Sequence, residues 1–222
     1  MCGRFTLAAV IAELQEQFEE VKLPEQYAPR YNIAPSQPVL AIPNDKKQTA
    51  DFFAWGLIPV WAKDPTIGSR LINARGETLA EKPAFRGSYK HKRCLIPADG
   101  FYEWKSTPGS KAKVPYYIKM STGTPFAFAG LWSEWRSPDG SEIRSCTIVT
   151  TAPNSLLSPI HNRMPVILQR GDYPRWLDPE SHSPEELAHL IKPFPAELMQ
   201  AYPVSTLVNN PENDRPECIL PA

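Results

Sequence analysis

Twenty-five prolines against 11 glycines punctuate these 222 residues, and they limit what the chain can fold into. They recur in short turns, in "IAPSQP", "LIPVW", "KDPT" and "LIPADG". Proline lacks the backbone N–H and fixes φ, so each one breaks up long regular elements. Between the turns lie short apolar, aromatic or β-branched runs: "PVLAIP", "DFFAWGLI", "RCLIPADGFYEW", "VPYYIKM", "PFAFAGLW", "RSCTIVTTA" and "MPVILQ". Their number and length predict a largely antiparallel, curled sheet rather than βαβ units. Six tryptophans identify the proline content with loop-rich globular structure, not disorder. The length suffices for one buried core, and a single domain over residues 1–222 is expected.

Helices are expected on the flanks. "LAAVIAELQEQFEE" places Leu7, Val10, Ile11, Leu14 and Phe18 at helical spacing, with Thr6 as its N-cap. "GETLAEKPAFRGSYK" and "SPEELAHLIKPF" read as two more, and Ser183 with Glu186 resembles a capping box in the second. The stretch Lys105–Lys113 is a hydrophilic hairpin tip.

Lys+Arg and Asp+Glu number 24 each, for a formal net charge of +0, so any anion-binding surface must be local. Cys2, Cys94, Cys146 and Cys218 show no paired C-x-x-C spacing, which argues against a zinc site or a disulfide framework. No apolar run reaches membrane-spanning length, and a secretory h-region is lacking. A reducing, cytoplasmic setting is expected, without membrane, metal or cofactor.

The start, "MCGRFT", has two readings. Cys2 is either a small buried residue or, once Met1 is removed, a free 1,2-aminothiol. In the second case the α-amine (reference pKa about 7.7–8.0) and the thiol (about 8.5) are both nucleophilic near neutral pH. Such a pair condenses with aldehydes, the amine forming an imine and the thiol closing a thiazolidine.

Other candidates carry alternatives too. In "INARGET", Asn73 and Arg75 stand two apart and share a side if extended, or Asn73 satisfies its own turn. Glu103 in "ADGFYEW" is a carboxylate among aromatics with a raised pKa, or an ordinary surface carboxylate. In "SPIHNRMP", His161 and Arg163 sit between two prolines in a segment too rigid and exposed for ordinary core, so His161 is read as functional, and His91, His182 and His189 as solvated. "YKHKR" (Tyr89–Arg93) is a basic patch that binds phosphate or a solvated charge run.

Taken in order, "MCGRF", "RYNIAP", "WGLIPVW", "INARGET", "RCLIPADGFYEW" and "IHNRMPVIL", with "YPVST" near the end, make the chain resemble the SRAP (SOS response-associated peptidase) family. The resemblance implies an α+β fold on a distorted, mainly antiparallel β-barrel with flanking helices and a groove for single-stranded DNA. It also implies that Cys2 forms a thiazolidine crosslink with the aldehyde of an abasic site. Asn73 would hold the Cys2 terminus, Glu103 would shuttle protons, and His161 would assist Schiff-base formation and reversal. Arg4, Arg75 and Arg163 would hold phosphates, Trp61 and Trp104 would stack on bases, and Thr150 would lie near the lesion. A monomer is implied, nucleoid-associated when bound to damaged DNA, with accompanying AP lyase activity and self-processing of Met1. Three other readings stand beside it: an N-terminal-nucleophile glutaminase, a protease pairing Cys2 with His161, and a non-covalent binder of single-stranded DNA.

Overall fold

The short apolar, aromatic or β-branched runs between turns become strands in the computed structural model, which describes residues 2–45, 47–110, 112–180 and 184–222. Among the described residues there are thirteen strands. They are β1 (Phe5–Leu7), β2 (Arg30–Ile33), β3 (Pro38–Pro43), β4 (Asp51–Trp55), β5 (Asn73–Arg75), β6 (Arg93–Ala98) and β7 (Gly100–Ser106), then β8 (Lys113–Met120), β9 (Phe126–Arg136), β10 (Glu142–Thr151), β11 (Met164–Pro165), β12 (Ile167–Leu168) and β13 (Met199–Pro203). Four short α-helices accompany them: α1 (Ile11–Gln17), α2 (Arg86–His91), α3 (Tyr173–Leu177) and α4 (Pro184–Ala188).

Strands β10, β4, β3, β6 and β9 pair in that order, and β9 pairs back onto β10, closing a five-stranded barrel. All of its pairings are antiparallel except β10–β4. The expected barrel-like, mainly antiparallel core with flanking helices is therefore observed, with β5 laid parallel on β10 as an addition. A second sheet has the order β13-β8-β7-β1-β2. The chain passes from barrel to sheet at Asp99, between β6 and β7. At the seam the Phe5 ring packs edge-on against Trp55 and Phe128, with centroids 5.1 and 5.7 Å apart. The barrel wall tolerates close backbone approach where Gly56, at φ +137°, faces Gly68. A Cβ on Gly56 would stand 2.5 Å from the Gly68 carbonyl oxygen.

Several local expectations are corrected by non-local pairing. Thr6 does not cap α1. It lies inside β1 opposite Gly100, and its hydroxyl bonds Asp99 and Tyr117. The helix instead starts after Val10, whose N–H donates to the Glu13 carboxylate. It buries Leu14, with Phe18 buried just past its end, while Val10 and Ile11 face solvent and Leu7 belongs to the strand. "GETLAEKPAFRGSYK" is no continuous helix: a 3₁₀ turn (Gly76–Thr78) and further turns through Pro83 precede α2. The Ser183 half of the expected capping box, and His182, lie outside the described residues. His91 and His189 are exposed as expected. The hairpin tip is observed, joining β7 to β8 with Ser106 paired to Lys113.

The "YKHKR" stretch is neither a patch nor a solvated run throughout. Arg93 is fully buried. Its guanidinium donates to the carbonyls of Tyr89, Lys90, Trp176 and Asp178. It thereby ties the C-terminal ends of α2 and α3 together, where the helix dipoles and the last unsatisfied carbonyls favour a cation.

Candidate functional site

The N-terminal segment joins the second sheet through β1 and is tied to the barrel through Asn73. Phe5 and Thr6 pair with Phe101 and Gly100, and the Tyr102 N–H donates to the Arg4 carbonyl at 2.9 Å. That ladder runs the first residues along β7 toward Glu103. From the barrel side, Asn73 opens β5 opposite Ile148 of β10 and donates Nδ2 to the Cys2 carbonyl at 2.8 Å. Its Oδ1 is buried and makes no hydrogen bond among the described residues. Cys2 is fully buried, and burial, reinforced by the Glu103 charge, pushes its thiol pKa up.

Glu103 lies on β7 opposite Tyr116 and is buried, not the ordinary surface carboxylate that alternation allowed. Burial pushes its carboxyl up to about 7. His161 follows a turn in which Asn154 Oδ1 accepts from Leu157 N–H and the Leu157 carbonyl from His161 N–H. Its Nδ1 accepts the Arg163 N–H at 3.1 Å. The neutral ring therefore carries its proton on Nε2, which faces Glu103 Oε2 at 3.9 Å. Burial lowers the His161 pKa. Desolvation thus drives both groups toward their neutral forms, a protonated carboxyl beside a neutral imidazole.

A second constellation adjoins the first through β10. Thr150 pairs with Arg75 across the parallel ladder. Arg163 donates through Nη1 and Nη2 to the two Glu77 carboxylate oxygens at 2.6 and 2.8 Å, and through Nη2 to the Thr150 carbonyl at 2.8 Å. Thr150 itself is fully buried, its hydroxyl accepting from Arg163 at 3.3 Å. Arg75 is exposed. On the other side of the N-terminal segment, Arg4 Nη1 donates to Asn32 Oδ1 and to the Val208 carbonyl, both at 2.7 Å. Its guanidinium carbon stands 5.8 Å from the centre of the Trp104 ring, and Trp104 Nε1 donates to Asn209 Oδ1 at 2.7 Å.

Cys2, Asn73, Glu103 and His161 are thus brought together, with Thr150 and Arg163 adjoining His161 and with Arg4 and Trp104 flanking. Trp61 stands apart: it is 57% exposed and lines a separate cavity of about 630 Å³ with Lys63 and Arg70. Sequence reasoning missed Glu77, Asn32 and Asn209. Each acts through a partner at least 28 positions away, so no local pattern exposes it. Among the described residues no cluster of three His, Cys, Asp or Glu side chains suits a metal ion.

The family model described as "SOS response associated peptidase (SRAP)" matches residues 1–211. The chain is 50% identical over 222 residues to abasic site processing protein YoqW of Bacillus subtilis (strain 168), covering 99% of each. It is 32% identical over 271 residues to abasic site processing protein HMCES of Rattus norvegicus, covering all of this chain and 76% of the relative. Among solved structures, a protein from Bacteroides thetaiotaomicron superimposes with a TM-score of 0.87 at 29% identity, covering both chains completely. The chain belongs to the SOS response associated peptidase (SRAP) family.

Proposed function

We propose that this protein senses abasic sites in single-stranded DNA and captures them covalently, acting as a monomer through the amine and thiol of Cys2. The observation that carries the reading is the convergence of Asn73, Glu103 and His161 on the N-terminal segment, with Asn73 bonded to the Cys2 carbonyl at 2.8 Å and Glu103 3.9 Å from His161. The relatives named abasic site processing proteins support the substrate class.

Excision of Met1, by an aminopeptidase or by the protein itself, turns the Cys2 amide nitrogen into an α-amine. The ring-opened abasic sugar presents an aldehyde. The amine adds to its carbon, giving a carbinolamine that loses water to form an imine. Glu103, poised near neutrality at about 7, donates the proton that lets water leave and can take it back. The thiol sulfur then adds to the imine carbon and its proton passes to nitrogen. Thiazolidine formation thus loses one water overall and needs no oxidant. The raised thiol pKa suits this order, in which the thiol stays protonated until the imine has formed. His161, neutral and with Nε2–H toward Glu103, stabilises the carboxylate that Glu103 becomes once it has given up its proton, until the proton returns. An imine that fails to close can instead lose the 3′ phosphate by β-elimination, which is the AP lyase side reaction. Arg75 and Arg163 are assigned to flanking phosphates, Arg4 and Trp104 to the adjoining strand, and Trp61 to a more distant base.

No helix among the described residues is long and apolar enough to cross a membrane. A cytoplasmic location, with nucleoid association on damaged DNA, belongs to the same proposal. Intact-mass analysis tests the chemistry directly. Mixed with an abasic single-stranded oligonucleotide without reductant, the protein should gain the oligonucleotide mass less one water. No gain, where control DNA still binds, overturns the reading. Glutamine hydrolysis or peptide cleavage by the same preparation would favour the N-terminal-nucleophile alternatives.

A further inference from the structure

We propose that Glu77 is an intramolecular stand-in for a DNA phosphate, a latch that occupies Arg163 until nucleic acid displaces it and thereby holds down the affinity for undamaged strands. The inference rests on the DNA-capture reading above and assigns a specificity-determining residue to it.

The geometry is that of an anion site already filled. Arg163 presents Nη1 and Nη2 to both oxygens of one carboxylate, at 2.6 and 2.8 Å, the same planar fork by which guanidinium grips a phosphate. Arg163 is well enclosed, with 16% of its side chain exposed, whereas Glu77 is 51% exposed. The carboxylate therefore closes the solvent side of a guanidinium whose inner face is fixed by the Thr150 carbonyl and hydroxyl. The Arg163 hydrogen bonds, with a smaller attraction from Arg75 at the end of β5, hold the Glu77 carboxyl below its ordinary range. Glu77 thus lies under the influence of the two arginines assigned to the flanking phosphates.

The latch also has room to open. Glu77 lies on the 3₁₀ turn that follows β5 and lines a cavity of about 310 Å³ with Ala80, Tyr89, Thr151 and Glu185. The turn itself is anchored, since a Cβ on Gly76 would stand 2.2 Å from Ile191 Cγ2. Displacement is then a side-chain rotation over a fixed backbone. A half-exposed carboxylate can leave at modest cost, but an incoming phosphodiester must replace it rather than fill an empty fork. Undamaged DNA gains only that exchange. An abasic strand is retained by the covalent step that follows, so a weakened encounter costs it little. A competing internal anion in this way improves discrimination without touching the reacting atoms.

A double-mutant cycle tests this with fluorescence anisotropy on a labelled, undamaged single-stranded oligonucleotide. Glu77→Gln should bind about two- to tenfold tighter than the parent, the range expected for releasing one exposed ion pair and one like-charge repulsion. In an Arg163→Ala background the same change should matter less than about twofold. Glu77→Asp keeps the charge but loses the two-point reach, so it should lie between parent and Gln; it serves as the second variant should Glu77→Gln fold poorly. Unchanged or weaker binding in both Glu77 variants overturns the latch and makes the pair a structural brace, as does an equal gain with and without Arg163. Crosslinking of an abasic oligonucleotide by the parent runs as the separate control. Its failure overturns the capture reading, whereas a parent that crosslinks but shows no Glu77 effect overturns the latch alone.

Discussion

His161 Nε2, from the loop between β10 and β11, faces Glu103 Oε2 of β7 at 3.9 Å. The separation is too long for a direct hydrogen bond and short enough for each group to sense the other's proton. Burial moves the two in opposite directions, Glu103 up to about 7 and His161 down, which brings a carboxylic acid and an imidazole toward a common range.

That convergence fixes a pH profile. Glu103 supplies a proton to the departing water, so crosslink formation should slow as pH rises through about 7 and the carboxyl ionises. Glu103→Gln should lose this descending limb and be slower by about ten- to ten-thousandfold at neutral pH. His161→Ala should be slowed within the same range while keeping a limb that belongs to Glu103. Single-turnover rates from pH 5 to 9 on an abasic oligonucleotide read both. A limb that survives Glu103→Gln unchanged shows that the titrating group lies elsewhere.

The same carboxyl should tax the fold. Its pKa is raised in the folded state from the ordinary 4.5 to about 7, so the folded protein binds more protons than the unfolded chain between those values. Stability from this group is then present at low pH and lost as pH rises through about 7. Relative to the parent, Glu103→Gln should gain up to about 3 kcal/mol on going from pH 4.5 to pH 8. Urea unfolding midpoints at the two pH values measure the swing, and a difference independent of pH refutes it.

How much of this was legible beforehand depends on distance along the chain. The strands were visible because short apolar, aromatic or β-branched runs between turn residues are local signals, and Asn73 and Arg75 were put on one side by the two-residue period of an extended chain. Thr6 was misread because its strand partner, Gly100, and its hydroxyl partner, Asp99, lie more than ninety residues away, and a threonine before apolar residues looks locally like a cap. Glu103 could not be settled by alternation, since the first four residues of β7 are buried whichever way they alternate. Glu77 was quoted within a motif but given no role, for its partner Arg163 is 86 positions on.

Arg93 makes that lesson testable. A cation read from the sequence as part of a surface patch is instead buried and donates to four carbonyls. Arg93→Met should leave those carbonyls without partners and destabilise by about 3–5 kcal/mol. Arg93→Lys should recover only part, because an ammonium cannot span both helix ends. Thermal melts should order the proteins parent, Lys, Met. DNA affinity in the Lys variant should stay close to that of the parent, and a large loss there would return this residue to the binding surface.

The decisive prediction concerns residue 2. Capture by a 1,2-aminothiol requires both nucleophiles, and they can be separated. Cys2→Ser keeps the α-amine but has no thiol to close a stable ring. It should give only a transient imine, trapped by borohydride, with strand cleavage by β-elimination where the imine persists. A variant with an extra N-terminal residue that cannot be excised keeps the thiol while locking the Cys2 nitrogen in a peptide bond. That variant should give no stable adduct, since a thiol alone adds to aldehydes reversibly. A cysteine hydrolase acting through sulfur would tolerate the blocked amine far better, because its base could be His161. Intact mass before and after mixing with abasic DNA reads every case, provided the N-terminus is verified in the same spectrum. Full crosslinking yield with the extra residue in place would overturn the aminothiol mechanism, whatever the arrangement of Asn73, Glu103 and His161 around it.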